Sequence, residues 1–252
     1  MEIKVLSQNV MCWPCAGGGY EERRARMKRL IDRLDPDLIG FQEVTDLWKS
    51  YFDEDLGGYG SVFRYRGEND LEAVPLYYRR DRFDLEGSGW FWLSDTPDRE
   101  SYGHGAACLR ITVWAVLRDR DSGESFLFVN THLDCDSEEA RILGARQILG
   151  FIAERGAGLP VILTGDLNDC SFSEAVRELK KELSDSRLVA RKTTETNTHA
   201  SSFGEPADAS IDYVFTRGLN VLTYSVEREA DGKYPQSDHY GVFVTATLGK
   251  NE

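Results

Sequence analysis

SFLFVNTHLDCDSEEARILGARQILGFIAERGAGLPVILTGDLN, residues 125–168, holds the pattern that decides the fold. It opens with an aromatic and β-branched run from Ser125 to Leu133, which predicts a strand. Asp136-Ser137-Glu138-Glu139 then reads as a helix start, with small polar residues at the cap and carboxylates in the first turn. The helix is predicted to run to about Arg155, its charges a solvated face over an apolar stripe. Val161 to Thr164 is a second buried strand. Strand, helix and strand in direct succession imply a mixed α/β layer. Both strands also run out into polar residues: Asn130 and His132 at the first, Asp166 and Asn168 at the second.

Working outward, the same alternation fills the chain. Ile3 to Val10 reads as a strand. Residues 20–34 read as a helix, with Met27, Leu30, Ile31 and Leu34 spaced for one buried face, and Asp35-Pro36 stops it. Residues 37–43 (DLIGFQE) are a short strand ending in a carboxylate. Strands are predicted at 74–79, 83–93, 109–118, 211–216, 220–227 and 240–248, a helix at 173–183, and mostly loop at 184–210. Strands outnumber helices, and no Pro/Gly/Ser-rich linker interrupts them. The expectation is one domain over residues 1–252, of α/β class, with two packed sheets and outer helices.

Composition narrows the function. The chain has 252 residues, 41% of them apolar, enough for a sizeable core. Lys plus Arg number 30 against 43 Asp plus Glu, a formal charge of −13. That argues against a nonspecific binder of long nucleic acid, which needs a basic surface to displace counterions. No apolar stretch approaches the ~18 residues of a membrane span, and Glu2 and Lys4 interrupt the opening run as no signal peptide would. The five cysteines are odd in number and scattered, which fits a reducing, cytoplasmic setting. Cys12 and Cys15 share a Cys-x-x-Cys spacing, but Ala-Gly-Gly-Gly follows, so no helix N-terminus activates a thiol there.

One arrangement recurs along the chain. Apolar strands end at Gln8-Asn9, Gln42-Glu43, Asn130-Thr-His132, Asp166-Leu-Asn168, Ile211-Asp212 and Ser237-Asp238-His239. An isolated case is a turn or cap residue; strand ends of one layered domain can instead converge on a single cleft. Asp, Glu and Asn oxygens dominate the set. Such hard ligands select Mg²⁺, Mn²⁺ or Ca²⁺ rather than Zn²⁺. A divalent ion with few protein ligands, a candidate base and two histidines suits phosphoester hydrolysis. There is no phosphate-binding Walker loop and no Gly-x-Ser-x-Gly elbow.

In their order and spacing these motifs resemble the endonuclease/exonuclease/phosphatase family, of the deoxyribonuclease I-like kind, and within it an uncharacterised bacterial branch. The likeness spans residues 8 to 239 and implies a four-layer α/β/β/α sandwich, two mixed sheets packed face to face. It implies a metal-dependent phosphoric ester hydrolase in which Glu43 is the principal metal ligand, with Asn9 and Asp238 near the ion. Asp166 is implied as the general base, positioned with Asn168, and His239 as the phosphate-contacting histidine, oriented by Asp212. His132 matches a second histidine whose partner is a glutamate seven residues before an arginine; Glu72 stands so before Arg79. Arg110 sits where relatives place a phosphate-binding arginine, against the plainer reading of a solvated charge at a strand start.

Some features depart from the family or stay outside it. Met11 stands where abasic-site endonucleases carry an Asp, which shifts the likeness towards deadenylase-like and bacterial branches. His104 and His199 read as loop residues, and Trp90 and Trp92 as packing aromatics of a strand. The expected substrate is a small phosphorylated molecule, a nucleotide or a short nucleic acid, as diester or monoester. A DNA- or RNA-cleaving nuclease is the alternative, and a non-catalytic phosphate-binding module or a Cys12/Cys15 oxidoreductase the remoter ones. No protein partner and no membrane insertion are expected.

Overall fold

Period-two alternation in the strands sorts their side chains onto two faces, and that sorting builds the layers. In the computed structural model, residues 2–14 and 19–249 are described. The elements in chain order are β1 (Glu2–Asn9), α1 (Tyr20–Leu34), β2 (Leu38–Gln42), α2 (Asp46–Asp55), β3 (Tyr59–Val62), β4 (Leu76–Arg79), β5 (Phe83–Trp92), β6 (Ile111–Asp119) and β7 (Ser125–His132). There follow α3 (Glu138–Arg155), β8 (Val161–Asp166), α4 (Glu174–Leu179), β9 (Ser184–Asp185), α5 (Ser186–Val189), β10 (Lys192–Thr193), β11 (Asp212–Arg217), β12 (Leu219–Glu227), β13 (Ala230–Asp231), β14 (Tyr234–Pro235) and β15 (Gly241–Leu248). One sheet runs β10-β12-β15-β1-β2-β4-β3, the other β5-β6-β7-β8-β11-β9. Both are mixed: β1 and β2 are parallel, as are β7 and β8, while β15 and β11 run antiparallel to their neighbours.

The expected four layers are present. Ile3, Val5, Leu38 and Val244 of the first sheet meet Val113, Phe128, Ile162 and Val214 of the second in the central core. On the far side of the first sheet, Leu6, Ile39 and Phe41 pack under Met27, Leu30, Trp48 and Phe52 of α1 and α2. On the far side of the second, Leu127, Val129 and Leu163 pack under Ala145, Ile148, Ile152 and Val176 of α3 and α4. Among the described residues no helix is long and apolar enough to cross a membrane.

Most expected elements sit within two residues of their predicted limits. The helix expected at 173–183 ends early, at Leu179, and the strand expected from 74 begins at Leu76. The chain also forms α2 and β3, which the sequence reading passed over. Trp48, Tyr51 and Phe52 of α2 are buried at a one-turn spacing behind Thr45, a usable helix signal.

Towards one end of the sandwich the facing surfaces change character. The alternation that places Ile3, Leu38, Phe128 and Ile162 in the core continues to Ser7 and Asn9, Gly40 and Gln42, Asn130 and His132, Thr164 and Asp166. The sheets approach closely at Gly40, where a Cβ would lie 2.0 Å from Thr164 Oγ1. Asn130 welds them there: its Nδ2 donates to the carbonyls of Phe41, Val74 and Pro75, and its Oδ1 accepts from Gln42 and Thr164. Expected at the cleft, Asn130 is instead a fully buried strut beneath it.

Candidate active site

Above that strut the strands end, and three turn through left-handed backbone: Met11 (φ 59°) after β1, Glu43 (φ 61°) after β2 and Asn168 (φ 49°) after β8. Non-glycine residues rarely adopt this conformation. Here it folds each chain back over the sheet edge, so the last polar side chains face one cleft. That cleft, of about 290 Å³, is lined by Glu43, His132, Asp166, Asn168, Asp238 and His239, and also by Arg66, Glu72, Arg110 and His199. Asn9 lies just beneath, fully buried.

The carboxylates at the base are tied together by amides. Asn9 Nδ2 donates to Glu43 Oε1 and to Asp166 Oδ2, each at 2.9 Å. Glu43 Oε2 accepts from the Cys12 backbone N–H (2.8 Å), and Asp166 Oδ1 from that of Asn168 (2.9 Å). Burial pushes the Glu43 carboxyl up, but His132, the Asn9 amide, the Cys12 N–H and His239 together outweigh it and draw it down to about 2. Asp166 is likewise lowered: burial opposes, and His239, His132 and the Asn168 and Asn9 donors prevail. Both groups are carboxylates at neutral pH.

Asp212 pairs with Asp166 across β11 and β8, which carries it under His239. His239 Nδ1 lies 2.9 Å from Asp212 Oδ2, which also accepts from the Thr198 hydroxyl at 2.6 Å. The other ring nitrogen faces Asp166 Oδ2 at 3.7 Å. Burial penalises the imidazolium, yet Asp212 and then Asp166 raise His239 well above the ordinary imidazole range. Burial is also the largest influence on Asp212 and, with the charge of Asp166, raises it against the pull of His239. The pair therefore holds its shared proton firmly.

The second histidine is arranged differently from expectation in one respect. His132 Nε2 is 2.9 Å from Asn168 Nδ2, so in the neutral ring Nε2 accepts from that amide and Nδ1 carries the hydrogen. Nδ1 faces Glu72 Oε1 at 3.6 Å, beyond hydrogen-bond range. Glu72 is held instead by Arg66 Nη1 at 2.6 Å. Arg66 was not among the expected residues; only the folded loop, not a sequence motif, brings it here.

Arg110 is not a solvated charge. It is 6% exposed, and its Nε and Nη1 are buried with no hydrogen-bond acceptor. The Asp134 carboxylate stands 3.5 Å from Nε but is already bonded to the Ala107 and Cys108 N–H groups. A desolvated, under-satisfied guanidinium on a cleft can receive an oxyanion. The residues expected as metal ligands divide: Asn9 and Glu43 are bonded, whereas Asp238 groups with His199 and His239, their ligand atoms within 4.8 Å of one another. Glu43, His132 and Asp166 form a second such group. His199, read as a loop residue, lines the cleft with its ring 4.5 Å from that of His239. His104 does not; it lies beside Asp95.

The cysteine reading fares as the chemistry predicts. Burial, followed by the Glu43 charge, pushes the Cys12 thiol up, opposite to an activated dithiol. Cys15 lies outside the described residues.

Known proteins share this framework. A mannosyl-6-phosphatase from Bacteroides thetaiotaomicron is 29% identical, covered over 98% of this chain and 100% of that one, with a TM-score of 0.88. An endonuclease/exonuclease/phosphatase from Bacteroides vulgatus is 27% identical over 98% and 99% of the two chains, with a TM-score of 0.91. An uncharacterised protein of Acanthamoeba polyphaga mimivirus is 28% identical over 89% of this chain and 91% of its own. The endonuclease/exonuclease/phosphatase family model matches residues 7–239, from the strand that delivers Asn9 to the loop that delivers His239. With that match laid over a four-layer sandwich and its polar strand ends, the chain belongs to the endonuclease/exonuclease/phosphatase family.

Proposed function

We propose that this chain is a divalent-metal-dependent phosphoesterase that hydrolyses a phosphate ester by water attack. The observation that carries the reading is the meeting, in one cleft, of two ionised carboxylates, a proton-holding Asp212–His239 pair and the unsatisfied Arg110 guanidinium. The mannosyl-6-phosphatase at 29% identity supports the same class of reaction.

The oxygen-rich donors suit Mg²⁺ or Mn²⁺. Glu43 would be the principal ligand in this reading, with Asn9 and Asp238 near the ion. A cation held there would supply Lewis-acid polarisation of the phosphoryl group. Arg110 takes one phosphoryl oxygen in its buried fork. Asp166 orients the attacking water and accepts its proton as the new phosphorus–oxygen bond forms and the leaving-group bond breaks. Asn168 fixes Asp166 through its backbone and His132 through its side chain. His239, held by Asp212, donates from Nε2 to the charge that grows on the phosphoryl oxygens. Glu72, anchored by Arg66, faces His132 Nδ1 from 3.6 Å and acts on the ring through its charge rather than through a hydrogen bond. The four described cysteines are free, which supports a reducing, cytoplasmic setting.

Purified protein with Mg²⁺ or Mn²⁺ should hydrolyse p-nitrophenyl phosphate or its bis-ester, and EDTA should stop it. Asp166→Ala and His239→Ala should each cut turnover about 10²–10⁴-fold, as loss of an acid–base group does. Full activity in either variant would rule out these roles.

A further inference from the structure

Beside the catalytic cleft lies a second hollow of about 420 Å³, continuous with the first through Cys12, Trp13, Arg66 and Glu72, which line both. The chemistry above leaves it unused. Its walls combine two features. One is an aromatic and aliphatic surface: Trp13 is 72% exposed and Leu71 49%, with Tyr20 beside them. The other is a set of carboxylates, Asp46, Asp70 and Glu72. The single cation among its described lining residues, Arg66, is already neutralised. Its Nε donates to Asp70 and its Nη1 to Glu72, each at 2.6 Å.

We propose that this hollow is the leaving-group subsite and takes an uncharged, hydroxyl-rich alcohol, so that the substrate is a sugar or polyol monophosphate. The inference rests on the phosphoesterase reading and adds the class of ester. Carboxylates accept hydrogen bonds from hydroxyl groups, and an exposed indole face covers the apolar C–H face of a sugar ring. A second phosphate here would meet three carboxylates and no free cation among the described residues, with desolvation against it. The cationic groups that suit a phosphate, Arg110 and His239, lie in the first cleft and serve one phosphoryl group. A nucleic-acid strand needs positive charge along its backbone path; this path is acidic. A nucleobase could stack on Trp13, but the carboxylate-rich wall of Asp46, Asp70 and Glu72 matches the several hydroxyl donors of a sugar better than a base edge that also presents acceptors.

The test is steady-state kinetics with Mg²⁺ or Mn²⁺ on a hexose 6-phosphate, a hexose bisphosphate, a nucleoside 5′-monophosphate, a short oligonucleotide and p-nitrophenyl phosphate, with inorganic phosphate as product inhibitor. The hexose 6-phosphate should show the highest kcat/KM of the biological esters. Trp13→Ala should raise its KM about tenfold, the loss of one aromatic contact, and leave the inhibition constant of inorganic phosphate unchanged. Leu71→Lys, at an exposed position that tolerates the change, should shift preference towards the bisphosphate. The subsite is overturned if Trp13→Ala leaves the hexose phosphate KM where it was, or if the nucleoside monophosphate or the oligonucleotide is preferred. Absence of turnover on every ester, p-nitrophenyl phosphate included, would instead sink the phosphoesterase reading and this inference with it.

Discussion

At the scale of single residues, the site depends on where protons rest. Asp212 and Asp166 raise His239 against the penalty of burial, while Asp166 stays ionised below the usual carboxylate range. Activity that needs a protonated His239 and an ionised Asp166 has an acid limb below ordinary carboxylate titration and an alkaline limb above ordinary imidazole titration. Asp212→Asn removes the leading stabiliser of the imidazolium, so the His239 pKa falls and the alkaline limb moves to lower pH, with kcat reduced. A pH profile of kcat/KM for both proteins checks this; coincident alkaline limbs would exclude the pairing. Most of these residues were legible because each is a polar residue closing an apolar run. Arg66, His199 and the strut role of Asn130 were not, because their positions depend on loop paths and sheet-to-sheet contact that no local pattern encodes.

At the scale of elements, the site is only as well placed as the strands beneath it. β2 and β8 touch through Gly40 and Thr164, the latter bonded to the Asn130 strut. Gly40→Val should destabilise the protein by about 1–3 kcal/mol, the usual penalty of overpacking, and cost activity too, since Glu43 and Asp166 ride on the strands forced apart. Thermal melts and kinetics of the one variant test both halves. The turn after β1 has its own clamp. Arg23, fully buried in α1, donates to the carbonyls of Val10, Met11 and Trp13. That turn presents the Cys12 N–H to Glu43. Arg23→Met keeps the apolar bulk but takes the guanidinium donor from all three carbonyls, leaving Met11 only its longer bond from Trp48 Nε1 at 3.3 Å. It should lower the melting temperature and weaken activation by metal, read as a higher metal concentration at half-maximal rate. The helix carrying Arg23 was readable from its stripe of Met27, Leu30, Ile31 and Leu34. The inward-facing arginine was not, since charged residues on a helix are ordinarily solvated.

At the scale of the molecule, the fold class was readable because strand, helix and strand follow one another openly in residues 125–168. Which strands adjoin was not, because pairing here joins distant segments. β1 lies mid-sheet between β2 and β15, so the first strand in chain order is flanked by the last. A chain cut after residue 236 would lack both His239 and the strand that closes the sheet around β1. It should show neither a cooperative thermal transition nor activity, and a folded, melting fragment would contradict that. The same adjacency sets a schedule for biosynthesis. Until residues 239–248 leave the ribosome, β1 and β12 each present an unpaired edge and the central core stands open on one side. Completion of the first sheet thus waits on residues 241–248, and the cleft that holds His239 cannot assemble before them.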